Sequence, residues 1–189
     1  LLIFDEIQTG IGRTGKWFCF QHHGVVPDII TLAKGLASGM PLGACISTQE
    51  HMKKWPTGAH GTTYGGNPVT CAAALATIEV VSDILTQITP VGKAGIDYLK
   101  DALKGHKCVG DIRGMGLMIG VEFVSNRQTK EPDSGVTKEI LKRCHEQGLI
   151  LISCGVDDNV LRIMPPLIIT EDVFMSGLKH LVEIINDVD

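Results

Sequence analysis

The chain has 189 residues, is 44% hydrophobic and carries a formal charge of −4. That length holds one large or two small domains, and the composition suffices for a sizeable core. Nucleic acid and anionic membrane surfaces are not the expected partners, because both need a cationic face and no basic run is present. No apolar stretch reads as long enough to span a membrane.

The six cysteines, Cys19, Cys45, Cys71, Cys108, Cys144 and Cys154, are scattered and form no CxxC pair. Free thiols in a reducing compartment are the simplest reading. A cytoplasmic setting is expected, with a mitochondrial matrix as the alternative, since a transit peptide would lie upstream of Leu1. The opening Leu1-Leu2-Ile3-Phe4 lacks the basic lead and cleavage site of a signal peptide. It reads as a buried parallel strand ending in Asp5-Glu6. A chain that starts inside such a strand implies that its N-terminal portion is missing.

Residues 10–24 read as a glycine-rich loop with one short helix. Asp28 to Leu32 and Leu42 to Ser47 read as further short strands, punctuated by Gly35, Gly39 and Pro41. Asn67 and Pro68 supply an N-cap and a first helical residue for a helix running towards Val81. The pattern breaks between Asp83 and Pro90. A domain boundary is expected there, with 1–85 closing a larger α/β domain and 86–189 forming a small α+β domain.

In the second half, Ile96, Leu99 and Leu103 mark a helix, and Gly116 to Phe123 a strand. Val136, Ile140, Leu141 and Cys144 mark another helix with Gly148 just past its end. Leu149 to Ile152 and Val160 to Ile163 read as strands. Phe174, Leu178, Leu181, Val182 and Ile185 make a last amphipathic helix, capped by Thr170.

Gly10-Ile11-Gly12-Arg13-Thr14-Gly15 matches the GxGxxG dinucleotide fingerprint after a strand, but its context fails. No helical stripe follows the third glycine, and Asp28 opens the next strand instead of closing it. His22, His23 and Cys19 lack a second ligand pair at metal-site spacing, so no metal is expected. Glu6 is a candidate partner for Arg13.

Four blocks carry the chemistry. They are Asp5-Glu6-Ile7-Gln8-Thr9-Gly10, Thr31-Leu32-Ala33-Lys34-Gly35, His60-Gly61-Thr62-Thr63-Tyr64-Gly65-Gly66-Asn67-Pro68, and Asn159-Val160-Leu161-Arg162-Ile163-Met164-Pro165-Pro166-Leu167. Each alone has a plain alternative. Asp5 could cap a turn, Lys34 could be solvated, Thr62 and Thr63 could form a turn, and Arg162 could serve a structural ion pair. Their joint occurrence is the signal.

Together the blocks resemble the class III (subgroup II) aminotransferases, of fold type I, which depend on pyridoxal 5'-phosphate. The resemblance covers nearly the whole chain. Lys34 lies 29 residues after Asp5, and Thr63 another 29 after Lys34, spacings similar to the family's. The resemblance implies that Lys34 holds the cofactor as a Schiff base and moves the proton during transamination. It implies that Asp5 keeps the pyridine nitrogen protonated, that Gln8 bonds the phenolic oxygen, and that Ile7 packs on a ring face. Thr63, with Thr62 as helper or turn former, donates to the phosphate. In the family that threonine serves the neighbouring subunit's site, so a homodimer with shared active sites is implied. The resemblance also implies that Arg162 binds the carboxylate of glutamate or 2-oxoglutarate through its guanidinium fork.

Three stretches, 37–43, 55–63 and 152–159, look closest to the bacterial 4-aminobutyrate aminotransferases. The expected substrates are thus an ω-amino donor and a 2-oxo acid acceptor, with acetylornithine, ornithine or another ω-amine as the alternative donor. A fragment that only dimerises or binds a partner is the alternative from a different class. The phosphate loop and the aromatic that stacks on the ring normally lie upstream of this stretch. The isolated 189 residues should therefore show no transaminase turnover, which a glutamate-formation assay on the purified chain checks.

Overall fold

The computed structural model describes residues 1–188. By its internal contacts the chain divides into two compact units, Leu1–Thr86 and Gln87 onward. The first unit holds a three-stranded sheet of β1 (Ile3–Asp5), β2 (Ile29–Leu32) and β3 (Ala44–Ser47), in the order β1-β2-β3. β1 and β2 are parallel, with Asp5 opposite Thr31. β3 is antiparallel to β2. Short 3-10 turns occupy Cys19–His22 and Lys34–Ala37, and α1 (Gln49–Met52) is a single turn capped by Thr48.

The expectation of a buried opening strand is corrected. Leu1 is 83% exposed and Ile3 57% exposed. Among the described residues β1 pairs only with β2.

The long helix α2 (Pro68–Ala102) begins where the sequence places it. The Asn67 side-chain oxygen accepts from the Thr70 amide at 3.1 Å, satisfying one of the free donors of the first turn. The expected break between Asp83 and Pro90 does not occur, and the helix continues with Pro90 inside it. An interior proline removes one amide from the ladder and disfavours the helix. Burial on both sides outweighs that cost. Thr70, Ala74 and Val81 are buried in the first unit, and Ile88, Leu99 and the following Leu103 in the second. Because it is unbroken, α2 is also long and apolar enough, by length and composition, to cross a membrane, contrary to the reading of the sequence. Only 17% of that apolar window is buried within this chain.

The second unit is a five-stranded sheet covered on one face by helices. β4 (Val109–Met115) and β5 (Met118–Asn126) form a hairpin, β8 (Val160–Ile163) pairs with β5, β7 (Ile152–Cys154) pairs with β8, and β6 (Glu131–Pro132) pairs with the end of β5. The predicted strand from Gly116 is corrected to this hairpin. Met115 pairs with Met118, leaving Gly116-Leu117 as a two-residue loop, with Gly116 at φ 55. A positive φ at the first loop position matches the twist of the strands and suits glycine. A bulge between Val109 and Asp111 and two glycines hide β4 from any period-two reading.

α3 (Ser134–Glu146) is capped by Asp133, whose carboxylate accepts from the Val136 amide at 2.9 Å. Past its end Gly148 has φ 82, the Leu149 amide bonds the Cys144 carbonyl at 2.7 Å, and Gly148 bonds His145 at 3.2 Å. This Schellman ending draws Leu149 into the helix cap. The strand expected at Leu149 to Ile152 therefore starts only at Ile152.

α4 (Glu171–Asn186) is capped by Thr170 and buries Phe174, Leu178, Leu181, Val182, Ile184 and Ile185. Gly95 of α2 has no room for a methyl group beside the Phe174 ring, and Gly92 none beside the Gly116 carbonyl. These glycines let the backbones close in.

Cys144, fully buried on α3, has its thiol pushed up to about 11 by burial. The thiolate is the reactive form. In the native protein at pH 8, iodoacetamide should leave Cys144 unmodified, and denaturation should expose it; peptide mapping by mass spectrometry reads the difference.

Candidate active site

The chemistry gathers at the carboxyl ends of the two parallel strands, where open α/β sheets place their ligands. Asp5 ends β1, and its Oδ1 accepts from the Ile7 amide at 3.0 Å and from the Thr31 hydroxyl at 3.1 Å. Both bonds fall on one oxygen, so the carboxylate is oriented while Oδ2 lies outside this pair. Asp5 itself is exposed, and Ile7 and Gln8 are half-buried in the turn that follows.

Lys34 stands three residues past Thr31, at the start of a 3-10 turn. Its φ is 42, and the side chain is exposed among the described residues. The Leu36 amide closes the turn on the Ala33 carbonyl at 2.9 Å. Ser38, at φ 46, ends it, and its hydroxyl accepts from Thr77 of α2 at 3.0 Å. Asp5 and Lys34 therefore issue from neighbouring strand ends fixed by one register.

Thr62 and Thr63 lie in the exposed turn before α2. The Thr62 methyl fills the space where a side chain at position 65 would stand. Thr62 thus packs over Gly65 within the turn. Arg162 is half-buried on β8 in the second unit, opposite Gly120 on β5 and Ile152 on β7. Its neighbours Leu161 and Ile163 point into the core at 0% and 5% exposure. The strand alternation sends Arg162 to the other face.

The glycines of the GxGxxG stretch form a turn. Ile11, Gly12 and Gly15 have φ 53, 85 and 90, and no helix starts at Gly15. A β-branched residue at positive φ is strained by about 1–3 kcal/mol. Ile11 is buried at 5% exposure and faces Gly35, next to Lys34.

Glu6, which the sequence offers only as a partner for Arg13, is 3% exposed. Its carboxylate accepts from the amides of Phe20 and Cys19 at 2.9 and 3.1 Å and from the Thr9 hydroxyl. Burial, and then the Glu6 charge, raise the Cys19 thiol. His22, which bonds Thr14 at 3.1 Å, is lowered by burial and by Lys16. The signal for Glu6 lies in the Asp5-Glu6 doublet, since alternation must turn one of two adjacent carboxylates inward.

The comparisons with known proteins decide the family. Residues 1–185 match the class-III aminotransferase family. The chain belongs to it. An acetylornithine/succinyldiaminopimelate aminotransferase of Photorhabdus laumondii is 42% identical over 98% of this chain and 45% of its own length. A 4-aminobutyrate aminotransferase of Mycobacterium leprae is 39% identical over 99% of the chain and 42% of its own. A solved aminotransferase from Bacillus anthracis superposes with a TM-score of 0.92 at 36% identity, covering 98% of this chain and 44% of that one. The chain thus spans less than half the length of these relatives.

Class III aminotransferases are pyridoxal-phosphate-dependent. The residues here fit that cofactor: an oriented carboxylate for a ring nitrogen, a lysine on the adjacent strand end, and hydroxyls in a turn leading into a helix.

The turn after β1 leaves no room for a larger residue at Gly10. A methyl group there would lie 2.7 Å from the Glu6 carbonyl and 3.1 Å from the Leu32 side chain. Gly10→Ala should cost about 1–3 kcal/mol of stability, measured as a shift in the urea midpoint at unchanged slope.

Proposed function

We propose that the full-length protein transfers an amino group from an ω-amino acid, 4-aminobutyrate foremost, to 2-oxoglutarate, giving a semialdehyde and glutamate. The observation that carries this reading is the Asp5 carboxylate, held at Oδ1 beside the strand that leads into Lys34. Bound there, pyridoxal phosphate supplies an electron sink for charge developing at the substrate carbon.

The chain's residues do the rest. Asp5 holds the proton on the pyridine nitrogen, which strengthens the sink. Gln8 donates to the phenolic oxygen, and Ile7 covers a ring face. Lys34 would hold the cofactor through its side-chain amine, and that amine would serve as the base for the proton on the substrate carbon. Thr63 donates to the phosphate, in a homodimer whose subunits share their sites, with Thr62 shaping its turn. Arg162 clamps the carboxylate of 2-oxoglutarate or glutamate with two parallel bonds.

The donor assignment rests on the stretches 37–43, 55–63 and 152–159. Acetylornithine is the second reading, favoured by the 42% identity to the Photorhabdus laumondii enzyme. Localisation follows the free cysteines, towards a cytoplasmic setting.

The full-length protein, given 4-aminobutyrate and 2-oxoglutarate, should form glutamate, and Lys34→Ala should lower kcat by about 10⁴-fold. Borohydride reduction followed by peptide mapping should place the adduct on Lys34. Turnover with acetylornithine alone would shift the substrate to that donor, and turnover retained by the Lys34→Ala variant would end the whole reading.

A further inference from the structure

Asp5 and Glu6 are neighbours with opposite fates. Asp5 is exposed at the strand end, and Glu6 is 3% exposed beneath it. Burying a carboxylate is costly unless its oxygens are satisfied. Here Oε1 accepts from the Phe20 amide at 2.9 Å, and Oε2 accepts from the Cys19 amide at 3.1 Å and from the Thr9 hydroxyl. The backbone of the same residue ties in both directions. Its amide donates to the Thr31 carbonyl at 3.0 Å, and its carbonyl accepts from Gly10 at 3.0 Å. One side chain therefore fastens the far end of the 9–20 loop to the junction of β1 and β2.

That loop reaches the lysine. Ile11 sits at φ 53 with 5% exposure, and its Cβ lies 3.8 Å from where a Cβ of Gly35 would stand. A buried, strained residue keeps such a conformation only when its surroundings over-determine it. The surroundings are the turn that Glu6 clamps at Gly10 and the loop that it clamps at Cys19 and Phe20.

We propose that Glu6 is a positioning residue for the Asp5–Lys34 pair, clamping the 9–20 loop so that Ile11 supports the turn that carries Lys34. The proposal rests on the reading of Asp5 and Lys34 as the reacting pair. In this proposal Glu6 acts through the loop and not by contact with the reacting atoms.

The test uses the full-length protein with Glu6→Gln and the milder Thr9→Val, which removes only the hydroxyl donor. Glutamine keeps one acceptor oxygen and turns an NH2 group towards a donor, so part of the clamp is lost. Amide hydrogen exchange at Cys19 and Phe20 reads the clamp, and exchange at Leu36 reads the turn that carries Lys34. In Glu6→Gln both should accelerate by about tenfold or more. The kcat should fall by about tenfold at a KM for the amino donor unchanged within about twofold. Thr9→Val should move all three in the same direction by less, and it decides the matter if Glu6→Gln does not fold.

Acceleration at Cys19 and Phe20 with Leu36 unmoved would overturn the proposal, because a purely local role predicts that outcome. Unchanged kcat in a folded variant with a loosened Leu36 would overturn it as well. If the unsubstituted protein has no transaminase turnover but Leu36 responds, the functional reading fails and the coupling stands.

Discussion

The parallel pairing of β1 with β2 is the constraint on which the first unit depends. It sets Asp5 opposite Thr31 and so brings a hydroxyl to the carboxylate that needs orienting. It also fixes where Lys34 leaves the sheet, three residues beyond that hydroxyl. A slip of one residue would turn Asp5 inward and Glu6 outward, since successive side chains alternate. The Asp5 carboxylate would then lose the Thr31 hydroxyl, and that of Glu6 would lose the Cys19 and Phe20 amides. Register and site are therefore a single choice made by the chain.

The second unit obeys the same alternation in a different setting. Ile119, Val121, Leu161 and Ile163 fill one face of its sheet at 5% exposure or less. Arg113, Gly120 and Arg162 fall on the other face, in one row across three strands. Arg113 is engaged with Asp111 at 3.0 Å and with Glu122. Gly120 stands between the two arginines, with the Val160 side chain packed against it. An arginine inside an apolar strand is thus accommodated without interrupting the core.

Much of this was legible because the deciding features are local. Asn67-Pro68, Thr170 and Gly148 announced their helix ends through capping chemistry that needs no tertiary partner. Lys34 and Asp5 stood out through motif and spacing. What stayed hidden depended on contacts remote in sequence. Pro90 reads as a stop, but burial of Ile88 before it and Leu99 after it carries the helix through it. Leu149 looks like a strand residue until the Cys144 carbonyl claims its amide. β4 was masked by a bulge and by its glycines. The role of Glu6 could not be read because its donors lie 13 and 14 residues away, in a loop with no period of its own.

The first half of α2 is oily on nearly every side. Val69, Leu75 and Val80 are 64%, 64% and 51% exposed, although Ala74 and Val81 already occupy its buried line. Water does not tolerate so continuous a greasy rod for long, and patches of this kind end up against other protein or lipid. A polypeptide trimmed to these residues would carry that rod uncovered. Clumping, more than any flaw in its sheets, would then govern how the piece behaves in a test tube, and any sample of it needs its state of association established before its chemistry is judged.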